Sequence, residues 1–284
     1  LQIDGNTENV MGLDNLHDKL RSFNWDVAEI NGHDYNQIYE ILMALNLTIY
    51  TPSNYIMPSR MSKYIDLTHH KGTSLTQQGR EEGIRRLMSI NLLKRLESSV
   101  YSFNLTLGRI RDLILGTIDA ITKFEKYGKA DLDMYEVGDN DFDMEDGNTD
   151  FFTVGKKVKI DLADMDYKTW RAELQHDADT LELLTLMVAD ITPEHDLKLQ
   201  TLFKLLDEKM ANPINEGNKK VLIFSAFSDT AEYLYDQVAS YMKTHYGLDT
   251  AVITGSIDGR TTIKGLKATL NNVLTCFSPI SKSR

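Results

Sequence analysis

The chain has 284 residues, 42% of them apolar and 26% charged, the balance of a core-forming globular protein. No apolar run approaches the roughly 18 residues needed to cross a bilayer, no basic start leads into an apolar stretch, and a single cysteine, Cys276, excludes an internal disulfide or a thiolate metal cluster. A reducing, cytoplasmic setting with no membrane partner fits these features. The net charge is −11, yet nine of the acids fall in residues 131–150 with no Lys or Arg among them, so the rest of the chain is near neutral and charge neither demands nor excludes a polyanionic partner.

Residues 1–45 read as a small α/β piece. LQID is a short strand candidate, Leu16, Leu20 and Phe23 recur at helical spacing, and Trp25 to Ile30 alternates like a strand. Asp34 is placed to cap a helix through Ile38, Ile41, Leu42 and Leu45. Residues 46–76 read as a connector with Pro52, Pro58 and one short strand at Tyr64 to Leu67.

Residues 77–217 are helical in pattern. Through 127 no proline intervenes, and Ile84, Leu87, Met88, Leu92, Leu96, Phe103, Leu107, Ile110, Ile114, Ile118 and Ile121 keep the period of one long helix or of two packed antiparallel. The basic residues between Arg80 and Arg111 read as a solvated helix face. The acidic tract 131–150 has no apolar period and reads as a mobile surface loop. Leu174, Leu181, Leu184 and Met187 form a further stripe, and Thr192-Pro193 reads as the start of the next helix.

From Lys219 the pattern becomes α/β. KKVLIFSAF is a continuous apolar run of the kind buried on both faces of a parallel sheet. Ser228 or Asp229 would cap the following helix, Thr250 to Thr254 reads as a second buried strand, and Thr261 or Thr262 would open another helix through Ile263, Leu266, Leu270 and Val273.

No phosphate loop, dinucleotide fingerprint, zinc-protease helix or nucleophile elbow is present. His69 and His70 are adjacent, and neighbours on an extended chain point apart, so they make no metal site. Gly32-His33-Asp34 reads as a turn and a cap. His17, His176, His195 and His245 lie on polar helix sides, and Trp25 and Trp170 read as packing residues. The strand ends carry more. Ser225 and Phe227 close the first run, and Thr254 and Ser256 close the second, at the edge where open α/β sheets bind ligands. Their hydroxyls and free backbone N–H groups suit phosphate oxygens.

VLIFSAFSDTAEYLYDQV followed by TAVITGSIDGRTT resembles the opening of the second RecA-like motor domain of superfamily 2 helicases of the SNF2-like branch. LNNVLTCFSP sits where that family has a helix ending at a Phe, and GREEGIRRLMSINLLKRLESSVYSFNLTL is similar to the helices joining the two motor lobes. The resemblance covers about 47–284. It implies an α/β fold: a helical inter-lobe region over 77–217 and, over 218–284, the first half of a RecA-like domain with a parallel sheet. It also implies ATP and Mg as cofactors of the complete motor, with DNA or another nucleic acid and the missing first RecA-like lobe as partners. Ser225, Phe227, Thr254 and Ser256 would touch the nucleic-acid backbone. No catalytic residue maps onto the chain, so none of its own ATP hydrolysis is expected.

LQIDGNTENVMGLDNLHDKLRSFNWDVAEINGHDYNQIYEIL resembles a different family, the amino-terminal subunit of transketolase. The Phe-x-Trp-x-Val strand and the Gly-His-Asp turn carry the likeness. It implies thiamine diphosphate and Mg as cofactors of the complete enzyme, with the backbone carbonyl of Leu1 as a metal ligand. Because the chain begins at Leu1 and each resemblance is partial, the sequence reads as two fragments joined near residue 45, as a chimera or a fusion, with neither activity expected from the polypeptide alone. A helical interaction protein with no chemistry is the remaining alternative.

Overall fold

In a computed structural model, residues 35–65, 77–128, 160–213, 216–255 and 259–278 are described. The readings made for residues 1–34, for His69 and His70, and for the acidic tract 131–150 lie outside them.

The helices form where the apolar period is sustained. They are α1 (Tyr35–Ala44), the single turn α2 (Ser62–Ile65), α3 (Gln77–Ser98), α4 (Val100–Tyr127) and α5 (Tyr167–Val188). Beyond these lie α6 (Leu197–Ala211), α7 (Ser228–Tyr246) and α8 (Leu270–Phe277). The long stretch 77–127 resolves into two helices because Ser99 is extended, at φ −156° and ψ 146°, and its hydroxyl accepts from the Ser102 N–H at 3.0 Å. A serine spent in this way caps α4 and breaks the continuity with α3. At the other end Gly128 takes φ 69°, a left-handed turn that glycine adopts without steric cost, and its N–H closes the helix on the Phe124 carbonyl.

One core unites the helices up to Val188. Phe103, Leu107, Ile110, Ile114 and Ile121 line the buried stripe of α4, and Trp170, Leu174, Ala178, Leu181 and Leu184 line that of α5. These two helices share the most extensive contact among the described elements. Met88, Leu92 and Leu96 of α3 and Ile38 and Leu42 of α1 complete the core.

The segment expected to be a bare connector is part of that core. Two 3₁₀ turns, Thr48–Tyr50 and Pro52–Tyr55, bury Leu47, Ile49, Tyr50 and Ile56 against the helices. Asp177 of α5 holds them there. Its fully buried carboxylate accepts from the N–H of Asn46 at 3.0 Å, the N–H of Thr48 at 2.8 Å and the Thr48 hydroxyl at 2.9 Å. These bonds flank Leu47, which sits in the left-handed region at φ 50°, an arrangement that costs a non-glycine residue about 1–2 kcal/mol and persists only when its surroundings enforce it. The Trp170 indole N–H adds a bond to the Thr48 carbonyl at 3.2 Å. The strand expected from Tyr64 is instead α2 at that residue, with Leu67 outside the described residues. The extended pairing nearby is a single antiparallel bridge, Ile56 to Met165.

Two charges in the segment read as a solvated face are buried. Glu81 is 2% exposed and accepts from the N–H and the hydroxyl of Ser53, at 3.0 and 2.6 Å. Arg95 is 1% exposed. Spacing gives a helix its period, but it does not say which charged side chain meets a partner from another element.

The carboxyl-terminal part departs most from expectation. Helix α6 begins at Leu197 under an Asp196 cap, whose side chain accepts from the N–H groups of Lys198 and Leu199 at 3.0 Å; Thr192 spends its carbonyl on a turn to His195 instead. The sheet among the described residues is not parallel. It consists of β1 (Ala251–Val252) and β2 (Arg260–Thr261), paired antiparallel. Just before β2, Gly259 lies so close to the Ala268 carbonyl and Ile253 that a Cβ would collide with both. The run 219–227 pairs with no strand among the described residues, and Leu222 and Phe224 are 63% and 87% exposed. The helix expected at Thr261 or Thr262 starts only at Leu270, because Thr261 belongs to β2 and Gly265 turns left-handed at φ 78°. A RecA-like parallel sheet is therefore not what the described residues form; they are mostly helical, with one small antiparallel pair.

Candidate functional site

The most concentrated polar chemistry lies where α3 gives way to α4. The kink at Ser99 leaves Arg95 from the last turn of α3 and Ser102 from the first turn of α4 on one side, and the Arg95 guanidinium donates to the Ser102 hydroxyl at 3.0 Å. Asp229, in the first turn of α7, closes the group. Its Oδ2 accepts from Arg95 Nη1 at 2.8 Å and from Arg109 Nη1 at 3.1 Å. The two arginines differ in setting: Arg95 is buried and Arg109 is half-exposed, with its side chain 40% accessible. A buried guanidinium needs its carboxylate more than an exposed one does, because no water replaces the lost partner.

Hydroxyl and aromatic contacts surround the charges. The Thr230 hydroxyl lies 2.9 Å from that of Ser98 and 3.1 Å from that of Ser99. Phe227 is buried beneath Arg95, whose guanidinium carbon stands 4.7 Å from the ring centre. Tyr101 and Tyr233 stack at 4.9 Å, and the Tyr233 hydroxyl donates to Asp196 at 2.9 Å. Burial, then the neighbouring Asp196 carboxylate, pushes the Tyr233 phenol well above its usual range, so it stays a donor at any physiological pH. Neither Ser228 nor Asp229, the two caps the sequence suggested, caps α7; both lie inside its first turn. Phe227 is the cap residue and makes no side-chain cap bond, while the Asp229 carboxylate turns to the arginines.

The sequence-predicted contact residues are placed as follows. Ser225 is half-buried; its hydroxyl donates to the Phe227 carbonyl at 3.0 Å and accepts from the Phe227 N–H at 3.2 Å, a local turn. Phe227 faces the helical elbow. Thr254 is half-buried, and its hydroxyl oxygen has no hydrogen-bond partner among the described residues. Ser256 and Leu1 lie outside the described residues. Ser225 and Phe227 are therefore neighbours at one turn. The residues that sequence reasoning passed over are Arg95, Arg109, Ser98, Ser99, Ser102 and Thr230; the available signal was the pair Ser98-Ser99, which follows Arg95-Leu96-Glu97 and interrupts an otherwise good helix former.

A second polar group joins α6 to α7. Asp207 accepts from the hydroxyls of Tyr241 and Tyr246, at 2.7 and 2.8 Å, and these donors hold its carboxyl below the usual carboxylate range. The same bond pushes Tyr241 up to about 12. Phe203 and His245 stack on the two sides of the Tyr241 contact, each with ring centres 4.3 Å apart. Among the described residues no group of three or more His, Cys, Asp or Glu is disposed to hold a metal ion, so none of them supplies a ligand set for the Mg that either resemblance implies. No described helix is long and apolar enough to cross a membrane.

No family model matches the chain, and no solved structure matches it significantly. Among curated proteins it is similar to one of the subunits of the apulose-4-phosphate transketolase of Phocaeicola vulgatus, with 30% identity over 92 residues. That alignment takes in 31% of this chain and 32% of the relative, so the chain spans about a third of the length of the protein it matches. The aligned stretch is longer than the 45 residues on which the transketolase resemblance was read. It supports that resemblance, whereas no comparison supports the helicase resemblance.

Proposed function

We propose that the chain carries parts of two enzymes: a strip of a thiamine-diphosphate-dependent transketolase at its amino-terminal end, and, over about 47–284, the lobe-linking helices and part of the second lobe of a SNF2-like, ATP-driven nucleic-acid translocase. The first assignment is the better supported. The 30% identity over 92 residues to a transketolase polypeptide carries it, and the relative's name points to a sugar phosphate as the substrate of the complete enzyme.

The motor assignment rests on its sequence resemblance and on one feature of the geometry. The elbow between α3 and α4 grips the start of α7 through Arg95, Arg109 and Asp229, which is the connection a linker needs in order to transmit movement to the unit it holds. In that reading the nucleic-acid backbone would meet Ser225, Phe227, Thr254 and Ser256, and ATP with Mg would act at a site completed by the first lobe.

Assays on the purified full chain separate the readings. Neither nucleic-acid-stimulated phosphate release nor ketol transfer from a ketose phosphate is expected, because the sequence holds no phosphate-loop motif and the described residues hold no metal-ligand group. Phosphate release above a heat-killed control would overturn the motor assignment as drawn, and ketol transfer would overturn the transketolase strip as an incomplete one. Anisotropy with a labelled duplex DNA should show salt-sensitive binding weakened in Thr254→Val. A chain that binds no DNA even at low salt removes the motor reading.

A further inference from the structure

The two halves of the described structure share no apolar cluster; polar contacts and the rings of Phe227 and Tyr233 join them. Every buried apolar residue of the large core lies at or before Val188. After it, Leu206, Met210, Val238 and Met242 form one small cluster, and Tyr235, Ala239 and Val252 form another. Helix α7 is divided between the two sides. Its first turn, with Ser228 and Thr230 buried, lies against the α3–α4 elbow, while its later turns pack on α6 and β1. The bonds that cross include Arg95 and Arg109 to Asp229, Ser98 and Ser99 to Thr230, and Lys198 to the Glu97 carbonyl, with one aromatic stack, Tyr101 on Tyr233.

We infer that this junction is a latch keyed by the Asp229 carboxylate: the start of α7 and the run before it release from the helical body as one local unit, without unfolding the body, when that charge is lost. Three observations carry the inference. Both crossing arginines share Asp229. Arg95 is almost wholly enclosed, so removing the carboxylate leaves a buried positive charge short of this counter-ion, a state the junction escapes by opening toward water. No apolar residue of the large core comes from α7, so opening exposes little of the surface that stabilises the body. The latch does not depend on either enzyme assignment.

The two arginines then have unequal weight. Arg109 is already half in water, and its loss leaves the Arg95–Asp229 bond standing. Arg95 is the member that makes the carboxylate necessary.

Hydrogen exchange on the full chain tests this. In Asp229→Asn, amides at the start of α7, from Ala231 to Leu234, should exchange at least roughly tenfold faster, while protected amides of α4 and α5 keep their wild-type rates. Arg109→Ala should change the same amides less than about threefold. The paired apolar variant Arg95→Met with Asp229→Leu should restore most of the protection, because the buried guanidinium and this carboxylate are removed together. The inference is overturned if Asp229→Asn leaves α7 exchange unchanged, if α4 and α5 lose protection to the same degree as α7, or if the variant does not fold at all. Each of the last two outcomes would mean that the junction belongs to one cooperative unit.

Discussion

The helical body and the carboxyl-terminal part are written with equally apolar sequences and end up with very different interiors. In α4 the stripe from Phe103 to Ile121 meets α5, and its members fall to 1% exposure or less. In α8 the segregation of apolar and polar residues is stronger than in α4, yet no residue of that helix is buried, and Leu270 is 57% exposed. The run Val221 to Phe224 is as apolar as any strand in a parallel sheet and lies largely uncovered beside Leu202, Leu205 and Leu206 of α6. An apolar face is a demand for a partner, and the fold depends on whether another element meets that demand. Burial of a Leu or Phe side chain is worth about 1.5–3 kcal/mol only when the partner is there.

The largest expected effect breaks the better-packed side. Phe103→Ala should lower the unfolding free energy by about 3–5 kcal/mol in a denaturant titration, because it opens a cavity where α4 meets the rest of the core. A loss below about 1 kcal/mol would show that the body is more loosely packed than its burial indicates.

Asp177→Ala comes next, at roughly 2–4 kcal/mol, since the N–H groups of Asn46 and Thr48 lose their acceptor and Leu47 loses what holds it at φ 50°. Asp177→Asn should recover part of the loss, because an amide oxygen still accepts one of those bonds.

Acid acts on the helical body through two carboxylates. Hydrogen bonds from Arg85 hold the Glu82 carboxyl down at about 2, and the Lys63 ammonium, then the Tyr64 hydroxyl, hold Asp164 below its ordinary value. Both carboxylates are depressed on folding, so their contribution is present above the unfolded carboxylate range near about pH 4 and is lost as pH falls through their folded values. Melting curves between pH 5 and pH 2 should therefore show falling stability, and Lys63→Met should flatten that dependence. An unchanged slope in Lys63→Met would remove Asp164 as a contributor.

The smallest effect lies on the uncovered side. Phe224→Ser should change stability by no more than about 0.5 kcal/mol, because a side chain that is 87% exposed gives up little on truncation. A loss comparable to that of Phe103→Ala would mean that the run is covered in solution, and would close the gap between the two regions.

The sequence by itself determined the helices of the body and most of their buried faces. The period through Leu92, Phe103, Leu107, Ile114, Leu174 and Leu181 is local information, since residues three and four apart share a helix face whatever the rest of the chain does. It also determined Trp170 as a packing residue and placed His176 and His245 on exposed helix sides, whereas His195, expected on a helix, is exposed in the turn before α6. Tertiary structure alone decided which polar residues matter. Glu81 and Arg95 belong to a helix whose other charges are at least partly exposed, and they are buried because Ser53 and Asp229 reach them from 28 and 134 residues away. The same holds for 46–65, whose sequence, broken by Pro52 and Pro58, has no period to read but whose backbone is folded into the core by Asp177. It holds again for the described residues after 219, where composition asked for a parallel sheet and β2 pairs antiparallel with β1 instead. Strand identity is a property of pairs, and a single strand's sequence cannot state whether its neighbour is present.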